Sequence, residues 1–317
     1  MDGEFVALSS EKPGILKATS GKCTYNINCM SPEGYPRPIM PFPEENAIIS
    51  GICSLTKRTT FAAGKDESKQ SLQCVSVKIK NNAVHAAACN GFALILVKGE
   101  AESPCYQEFL IPSRSLSVLA SVSSDSDVFE VGDMGNHIVF MRGDMMFTIN
   151  KLVMNTSDYP DILKMIKKIE PAYTAVANAN EIREALNIIA VGAMSEGSNG
   201  VIKLSLTDGQ ITLRSVGDVC KGRSALPATT SKSIPNSSFF YQISPLLKFF
   251  HSVQGRVRLE IDTKGIILIK AHNEVYLQVA MQRGNHKAIE QTSAKGAKVM
   301  KESQEPTEST EPHEEAA

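Results

Sequence analysis

The sequence predicts an α+β protein built from tandem copies of one unit, in which two helices pack on antiparallel strands. Three observations support this fold class. Apolar residues recur at helical spacing in four segments, alternating strands follow each helix, and the order of helix and strands occurs twice. With 317 residues, the chain has room for two or more domains of about 100–150 residues.

The first copy is predicted over residues 45–168, as a middle domain. It opens with an amphipathic helix over residues 45–63, on which Ile48, Ile52 and Leu55 share one face. A second helix follows Pro112, with Leu116 at helical spacing. Strands alternate with these helices and are predicted at 75–80, 84–88, 92–97, 106–111, 128–131, 137–142 and 145–152.

The second copy is predicted over residues 169–283, as a last domain. Asn178 and Glu181 have the spacing of a helix start, and Ser244-Pro245 predicts the cap and first residue of another helix. Asp208-Gly209 predicts a tight hairpin. Strands are predicted at 201–206, 210–215, 238–243, 257–261, 266–270 and 275–281.

The two ends of the chain differ from these copies. Residues 1–44 contain three strand-like pieces that match the closing strands of one more unit, so we interpret them as a C-terminal fragment of a first domain. Residues 284–317 carry seven Glu and four Lys without apolar periodicity, which predicts a disordered acidic tail.

Composition excludes several classes of protein. The net charge of −1 argues against a uniformly basic nucleic-acid binder, although not against a local basic surface. The longest apolar run has six residues, and we find no secretory signal. The seven cysteines form no CxxC pair, which predicts reduced thiols in a cytoplasmic protein rather than a disulfide or zinc framework.

Motifs for catalysis are scarce. Residues 217–224 read GDVCKGRS, which lacks the lysine of a phosphate-binding loop and does not open a helix. The six histidines are dispersed. We therefore predict no catalytic residue, no metal site and no cofactor, and we keep an enzyme assembled from scattered Cys and His residues as a remote alternative.

Basic residues stand outside the apolar stripe on each of the four predicted helices. A sheet-backed layer of such helices could meet a phosphate backbone without reading its sequence, so duplex DNA is a predicted partner. The residues predicted to face DNA are Lys57, Arg58, Lys65, Lys69, Arg114, Arg183 and Lys248.

Local motifs in matching order resemble those of the bacterial DNA polymerase III beta subunit, the sliding-clamp family. Residues 88–94 read ACNGFAL, similar to the family's ATDGHRL, and residues 109–116 read FLIPSRSL, similar to VIVPxxxL. Residues 143–153 read GDMMFTINKLV, close to GDxxFTSKLV, and YPDILKMI at 159–166 resembles FPDYRRVL. The resemblance covers residues 3–283 and implies the DNA-clamp fold.

The resemblance also implies a function, that of a processivity factor that encircles DNA. Such a factor tethers the replicative polymerase and binds the clamp loader through short hydrophobic peptides of the Gln-Leu-x-Leu-Phe type. Phe92 and Ala93 stand in place of the family's His and Arg, and Lys164 replaces a rim Arg. The matching pocket positions are Leu72, Cys89, Gly91, Phe92, Ala93, Leu94, Pro160, Lys164, Met165, Leu277, Val279 and Met281.

The family's rings close head to tail, so a homodimer is implied where the first domain is complete. Tyr25 matches an aromatic residue on one side of that contact, and Gly192 and Ala193 match larger apolar residues on the other. An alternative function is a clamp-derived scaffold that binds peptides and does not encircle DNA.

Overall fold

The structure is a computed structural model that describes residues 5–31, 33, 43–151, 159–194, 200–216, 220–231 and 239–281. The predicted tail at 284–317 lies outside these residues, as do the first three residues, 217–219, of the near-match to a phosphate loop. The chain divides into two compact units, one ending at Phe42 and the other beginning at Pro43.

The first unit contains a three-stranded antiparallel sheet of β1 (Ala7–Lys12), β2 (Ile15–Ser20) and β3 (Cys23–Asn28). The three predicted strand-like pieces are confirmed as strands. Gly14 and Gly21 adopt φ of 78° and 57° in the two turns, a conformation that other residues adopt at a cost.

The second unit holds five helices among its described residues. The first two and the last two match predicted helices, whereas the short α3 was not predicted. A 3₁₀ turn at Thr60–Ala62 extends α1, and another at Gln70–Gln73 precedes a strand. The helices are α1 (Ile52–Thr59), α2 (Ser113–Ser121), α3 (Ile162–Lys167), α4 (Ala179–Ala193) and α5 (Ile243–Ser252).

Most described strands of the second unit match predicted strands, but the four at 46–50, 173–178, 223–227 and 229–230 were not predicted as strands. The first copy contains β4 (Asn46–Ser50), β5 (Cys74–Lys80), β6 (Ala83–Cys89), β7 (Ala93–Glu102), β8 (Gln107–Pro112), β9 (Val128–Asp133), β10 (His137–Arg142) and β11 (Met145–Asn150). The second copy contains β12 (Tyr173–Asn178), β13 (Val201–Thr207), β14 (Gln210–Val216), β15 (Arg223–Pro227), β16 (Thr229–Thr230), β17 (Phe239–Gln242), β18 (Arg256–Ile261), β19 (Ile267–Lys270) and β20 (Glu274–Gln278).

The predicted first helix was wrong over residues 45–51, about two turns. Asn46–Ser50 forms β4, which pairs with β9 and with the end of β7. Gly51 has φ of 65°, so the chain turns there before α1 begins. Helical spacing of Ile48 was coincidental, because the strand pairing satisfies its backbone instead.

Helix caps were predicted with mixed success. The side chain of Asn178 accepts a hydrogen bond of 2.9 Å from the backbone of Asn180, which confirms the start of α4. Helix α5 begins two residues earlier than predicted, because Gln242 and not Ser244 occupies the cap position.

The pairing of β7 with β20 joins the two copies into one sheet. Ala93 to Val97 of β7 lie antiparallel to Glu274 to Gln278 of β20. The ladder continues at both ends, since Val279 donates to the carbonyl of Phe92 at 2.9 Å and Lys98 donates to that of Asn273 at 2.8 Å. This continuous sheet has thirteen described strands, and a separate four-stranded sheet has the order β15-β14-β13-β17.

Side chains on β7 alternate between two apolar clusters. Ile95 and Val97 enter the main core, whereas Leu94 and Leu96 enter a smaller cluster on the opposite face. The main core runs through both copies, because Phe61, in the 3₁₀ turn after α1, packs against Tyr276 of β20 with ring centroids 6.3 Å apart.

Arg58 is half-buried at this junction, where it pairs with Glu274, and it also lines a separate groove with Lys57 and Lys248. It therefore has a structural role in addition to the one predicted towards DNA. Its guanidinium lies 2.5 Å from the carboxylate of Glu274, whose side chain is only 5% exposed. A buried carboxylate needs a cationic partner, and Arg58 supplies it across the two copies. Burial raises the pKa of Glu274 more than Arg58 lowers it.

Removing the arginine should therefore destabilise the fold. We expect Arg58→Met to lower the free energy of unfolding by about 3 kcal/mol, because it leaves a buried carboxylate unpaired. The double variant with Glu274→Gln should recover most of this loss in urea titrations. A loss that the double variant fails to recover would contradict the assigned role of this pair.

The same variant has a defined pH dependence. The pKa of Glu274 is higher in the folded than in the unfolded chain, so between these two values the folded state binds more protons. The stability of the Arg58→Met variant should therefore rise as the pH falls through this window. Urea titrations of the Glu274→Gln double variant provide the control, since that protein lacks this titration.

Candidate nucleic-acid groove and peptide-binding surface

Five of the seven cations predicted to face DNA line one groove. The groove has a volume of about 680 Å³ and lies between α1, α2, α4 and α5. Its lining contains no carboxylate. The cations in its lining are Lys57, Lys65, Arg114, Arg183 and Lys248.

Helix geometry explains how four short helices present these charges. Leu116 and Leu119 of α2, like Leu246 and Phe249 of α5, enter the core, so Arg114 and Lys248 lie away from it. The Cys53 side chain and then Asp125 raise the pKa of Lys57, which is therefore charged at neutral pH. The groove is thus a concentrated positive surface on a protein of net charge −1.

The remaining two predicted cations lie elsewhere. Arg58 pairs with Glu274, as described above. Lys69 is exposed just before the 3₁₀ turn at Gln70–Gln73 and is not among the residues that line the groove. Its predicted role towards DNA has no support from the geometry.

The β6–β7 turn and the end of β20 form the exposed edge of the predicted peptide site. Gly91 adopts φ of 90°, and the Asn90 side chain accepts hydrogen bonds from the backbones of Phe92 and Ala93 at 3.0 and 2.9 Å. This tight turn leaves the Phe92 side chain 73% exposed. The Phe92–Val279 backbone bond places the two edges side by side.

Beneath this edge, four predicted residues belong to the smaller apolar cluster: Leu72, Cys89, Leu94 and Leu277. The cluster is already covered, because Tyr159 and Ile162 pack on it and the Tyr159 hydroxyl donates to the carbonyl of Ala87 at 3.1 Å. Burial raises the pKa of the Cys89 thiol and raises that of Cys74 to about 11, so neither is a reactive thiolate.

Ala93 does not belong to this surface, which corrects its predicted place in the pocket. Its side chain enters the main core on the opposite face of the sheet from Leu94, as strand alternation requires. The other predicted residues are partly or fully accessible. Phe92, Lys164, Met165 and Val279 are exposed, and Pro160 and Met281 are half-buried.

An open cavity of about 430 Å³ adjoins the covered cluster. It lies on strands β5, β6 and β7 beside the start of α3, and of the predicted residues it includes Pro160. Apolar lining comes from Leu96, Ile162 and Leu163, and Lys80 and Lys98 provide positive charge. Sequence patterning could not find this cavity, because it depends on where α3 crosses the sheet.

The predicted dimer contact is only partly accessible. Tyr25 on β3 is 53% exposed. Gly192 and Ala193 are buried, which corrects their predicted place on an interface. A side chain at Gly192 would lie 3.1 Å from the Ser215 hydroxyl oxygen. The exposed apolar residues of α4 that sequence reasoning missed are Ile188 and Val191, at 64% and 74%.

Neither a metal-ligand cluster nor a membrane-spanning helix is found in the described part of the chain. No group of three His, Cys, Asp or Glu residues there is placed to hold a metal ion. The helices described there also lack the length and apolar character needed to cross a membrane.

Known proteins with a similar sequence are DNA polymerase III beta subunits, also called beta sliding clamps. The family model for the DNA polymerase III beta subunit, central domain, matches residues 50–161. The beta sliding clamp of Bacillus subtilis (strain 168) is 25% identical over 193 residues, which are 59% of this chain and 49% of that protein. The beta sliding clamp of Synechococcus elongatus is 26% identical over 284 residues, or 84% and 72% of the two chains.

Solved structures show the same fold. The DNA polymerase sliding clamp from Bacillus subtilis matches with a TM-score of 0.76 and 20% identity, over 87% of this chain and 74% of that chain. The DNA polymerase III beta subunit from Thermotoga maritima matches with a TM-score of 0.75 and 18% identity, over 89% and 77%.

The fold is therefore that of the sliding clamps, an α+β architecture of helices on largely antiparallel sheets. The family model and the sequence relatives make the chain similar to the bacterial DNA polymerase III beta clamp family, and the solved structures share its fold. The match spans about half the length of the Bacillus relative.

Burial of Gly192 leads to a stability prediction. We expect Gly192→Leu to lower the thermal midpoint by several degrees, because the new side chain would meet Ser215 and Cys220. The neighbouring Val191→Leu variant is the matched control, since residue 191 is exposed. An unchanged midpoint in both variants, measured by calorimetry, would contradict the buried position of Gly192.

Proposed function

We propose that this protein is a sliding-clamp processivity factor of the cytoplasm, which holds duplex DNA without reading its sequence and tethers polymerase to it. One observation carries the proposal: five cations on helices α1, α2, α4 and α5, or next to them, line a single groove without a carboxylate in its lining. Such a surface suits phosphate contacts, which fix position and carry no sequence information.

Tethering does no chemistry. A clamp keeps polymerase at the primer end by raising its effective concentration, so the proposed role needs no catalytic group. Head-to-tail copies would complete a ring, and exposed Ile188 and Val191 are the apolar residues of α4 that could meet a second copy. A scaffold that binds peptides alone would leave the cationic groove without a role.

DNA binding should depend steeply on salt. Each phosphate neutralised contributes about −0.9 to the slope of log K against log salt. We expect Arg114→Ala with Arg183→Ala to reduce that slope by about 2, equally for unrelated duplex sequences. Fluorescence titration of labelled duplexes over a salt series measures this.

The matched control replaces Lys167 and Lys168, two exposed lysines at the end of α3 that do not line the groove. This control should leave the slope unchanged. Equal effects of the two double variants, or a strong preference for one sequence at fixed salt, would argue against the proposal.

We further propose that partner peptides insert an apolar anchor into the cavity beside α3. Cys89, Leu94 and Leu277 of the smaller apolar cluster are covered by other side chains of the protein. The adjoining cavity of about 430 Å³ is open. Exposed Phe92 and Val279 would flank the peptide, which suits a ligand with Leu and Phe side chains.

Leu163 is the residue that tests this location. It is 53% exposed and lines the cavity. We expect Leu163→Ala to weaken binding of a Gln-Leu-x-Leu-Phe peptide by about 1–2 kcal/mol, measured by titration calorimetry. Ile188→Ala, an exposed apolar residue on α4, should not alter the affinity. Unchanged affinity for Leu163→Ala would remove the anchor from this cavity.

A further inference from the structure

Three cations form a straight row across the four-stranded sheet. Lys203 of β13 lies directly opposite Arg214 of β14, and Arg214 lies directly opposite Arg223 of β15. Phe240 of β17 lies on the other side of Lys203 and ends the row. Together with Lys221 they line a groove of about 610 Å³. We refer to Lys203, Arg214 and Arg223 as the cation row.

This arrangement is unfavourable unless an anion is present. Like charges directly opposite on neighbouring strands destabilise a sheet, because the strands are only about 4.8 Å apart. No carboxylate lines the groove, and no ion pair joins the cation row to any acidic residue of the described chain. The row therefore provides a site for a ligand with several negative charges.

The cation row is separate from the DNA groove. Leu204 and Leu213 of the same two strands are buried in the core, where α4 packs on the sheet. Residues next to them along each strand point to the other face, so Lys203 and Arg214 lie away from α4 and from Arg183. The row belongs to the sheet side of the protein rather than its helix side.

The described chain ends beside this row. Met281 donates a backbone hydrogen bond of 2.8 Å to the carbonyl of Phe240, and the Gln278 side chain donates to the carbonyl of Gln242 at 3.1 Å. The segment that follows Met281 thus starts at the Phe240 end of the row. Its position makes it the nearest source of a tethered ligand.

The sequence of that segment supplies the matching charge. Between residues 302 and 315 there are six Glu and no Lys or Arg. Five of the glutamates recur at every third position, and two prolines lie among them. The recurring residues are Glu302, Glu305, Glu308, Glu311 and Glu314.

The two charge spacings agree. An extended polyproline-type segment rises about 3.1 Å per residue, which would separate glutamates three positions apart by about 9.3 Å. Lys203 and Arg223 are two strands apart, or about 9.6 Å. Successive glutamates could therefore reach the two ends of the cation row, with Arg214 between them.

We propose that residues 302–315 dock in cis on the cation row. Twenty residues, 282–301, link them to Met281 and could span up to about 66 Å, so reach is not limiting. A covalent link of this length gives an effective concentration in the millimolar range, at which several weak ion pairs suffice. Docking would cover the cation row, which otherwise competes with the helix-lined groove for DNA.

A single tryptophan can report on this docking, because the chain has none. In the 317-residue chain, Thr310→Trp places the indole between Glu308 and Glu311. We expect its fluorescence anisotropy to fall on going from low salt to about 1 M salt, where the Debye length is about 3 Å. Replacing the row by Lys203→Gln, Arg214→Gln and Arg223→Gln should lower the ratio of docked to free segment roughly tenfold.

The control variant carries the same charge change at Lys12, Lys22 and Lys264, which are exposed and do not line the groove. It should leave the anisotropy at the wild-type value. Circular dichroism checks that each triple variant folds, and Arg214→Gln alone, expected to give a smaller fall, replaces any triple variant that does not fold.

An anisotropy that responds to neither the cation-row variants nor salt would overturn the proposal. A labelled single-stranded oligonucleotide serves as the competing probe. If the row variants abolish its binding while the indole signal stays constant, the cation row is a nucleic-acid site and cis docking is wrong. DNA binding in the helix-lined groove is measured separately with Arg114→Ala and Arg183→Ala.

Discussion

Pairing between β7 and β20 is the interaction on which the rest of the second unit depends. Five directly opposed residue pairs join a strand of the first copy to the last strand of the second. This ladder brings the β6–β7 turn beside Val279 and lets Tyr276 pack against Phe61 of the first copy in a shared core. Without this pairing, the helices of the two copies would not be held side by side along one groove.

The same junction explains why two neighbouring cations have different roles. Lys57 and Arg58 are consecutive on α1, so their side chains point about 100° apart. Lys57 lines the groove, whereas Arg58 reaches Glu274 on β20. Both residues stand outside the apolar stripe of α1, and sequence periodicity cannot separate them, because the difference depends on a strand more than 200 residues away.

Local patterns predicted most of the fold, and long-range packing decided what they missed. Hairpins such as β13–β14 and helices such as α4 follow from turn residues and apolar spacing. The short strand β4 looked helical, because its neighbours in the sheet come from distant β7 and β9. Matching motifs located the edge at Phe92 and Val279, but alignment alone could not reveal that Ala93 and Gly192 are buried.

The net charge, like local sequence patterns, does not show where charged side chains come together in the fold. A net charge of −1 is ordinary for a globular protein, but the fold concentrates cations on particular surfaces. Five cations meet in a helix-lined groove, and three others cross a sheet in register at Lys203, Arg214 and Arg223. If the groove binds DNA, positive charge elsewhere lowers selectivity for that path, because phosphate attraction does not depend on sequence. The acidic segment 302–315 of the same chain could neutralise the cation row and leave the helix-lined groove free to bind DNA.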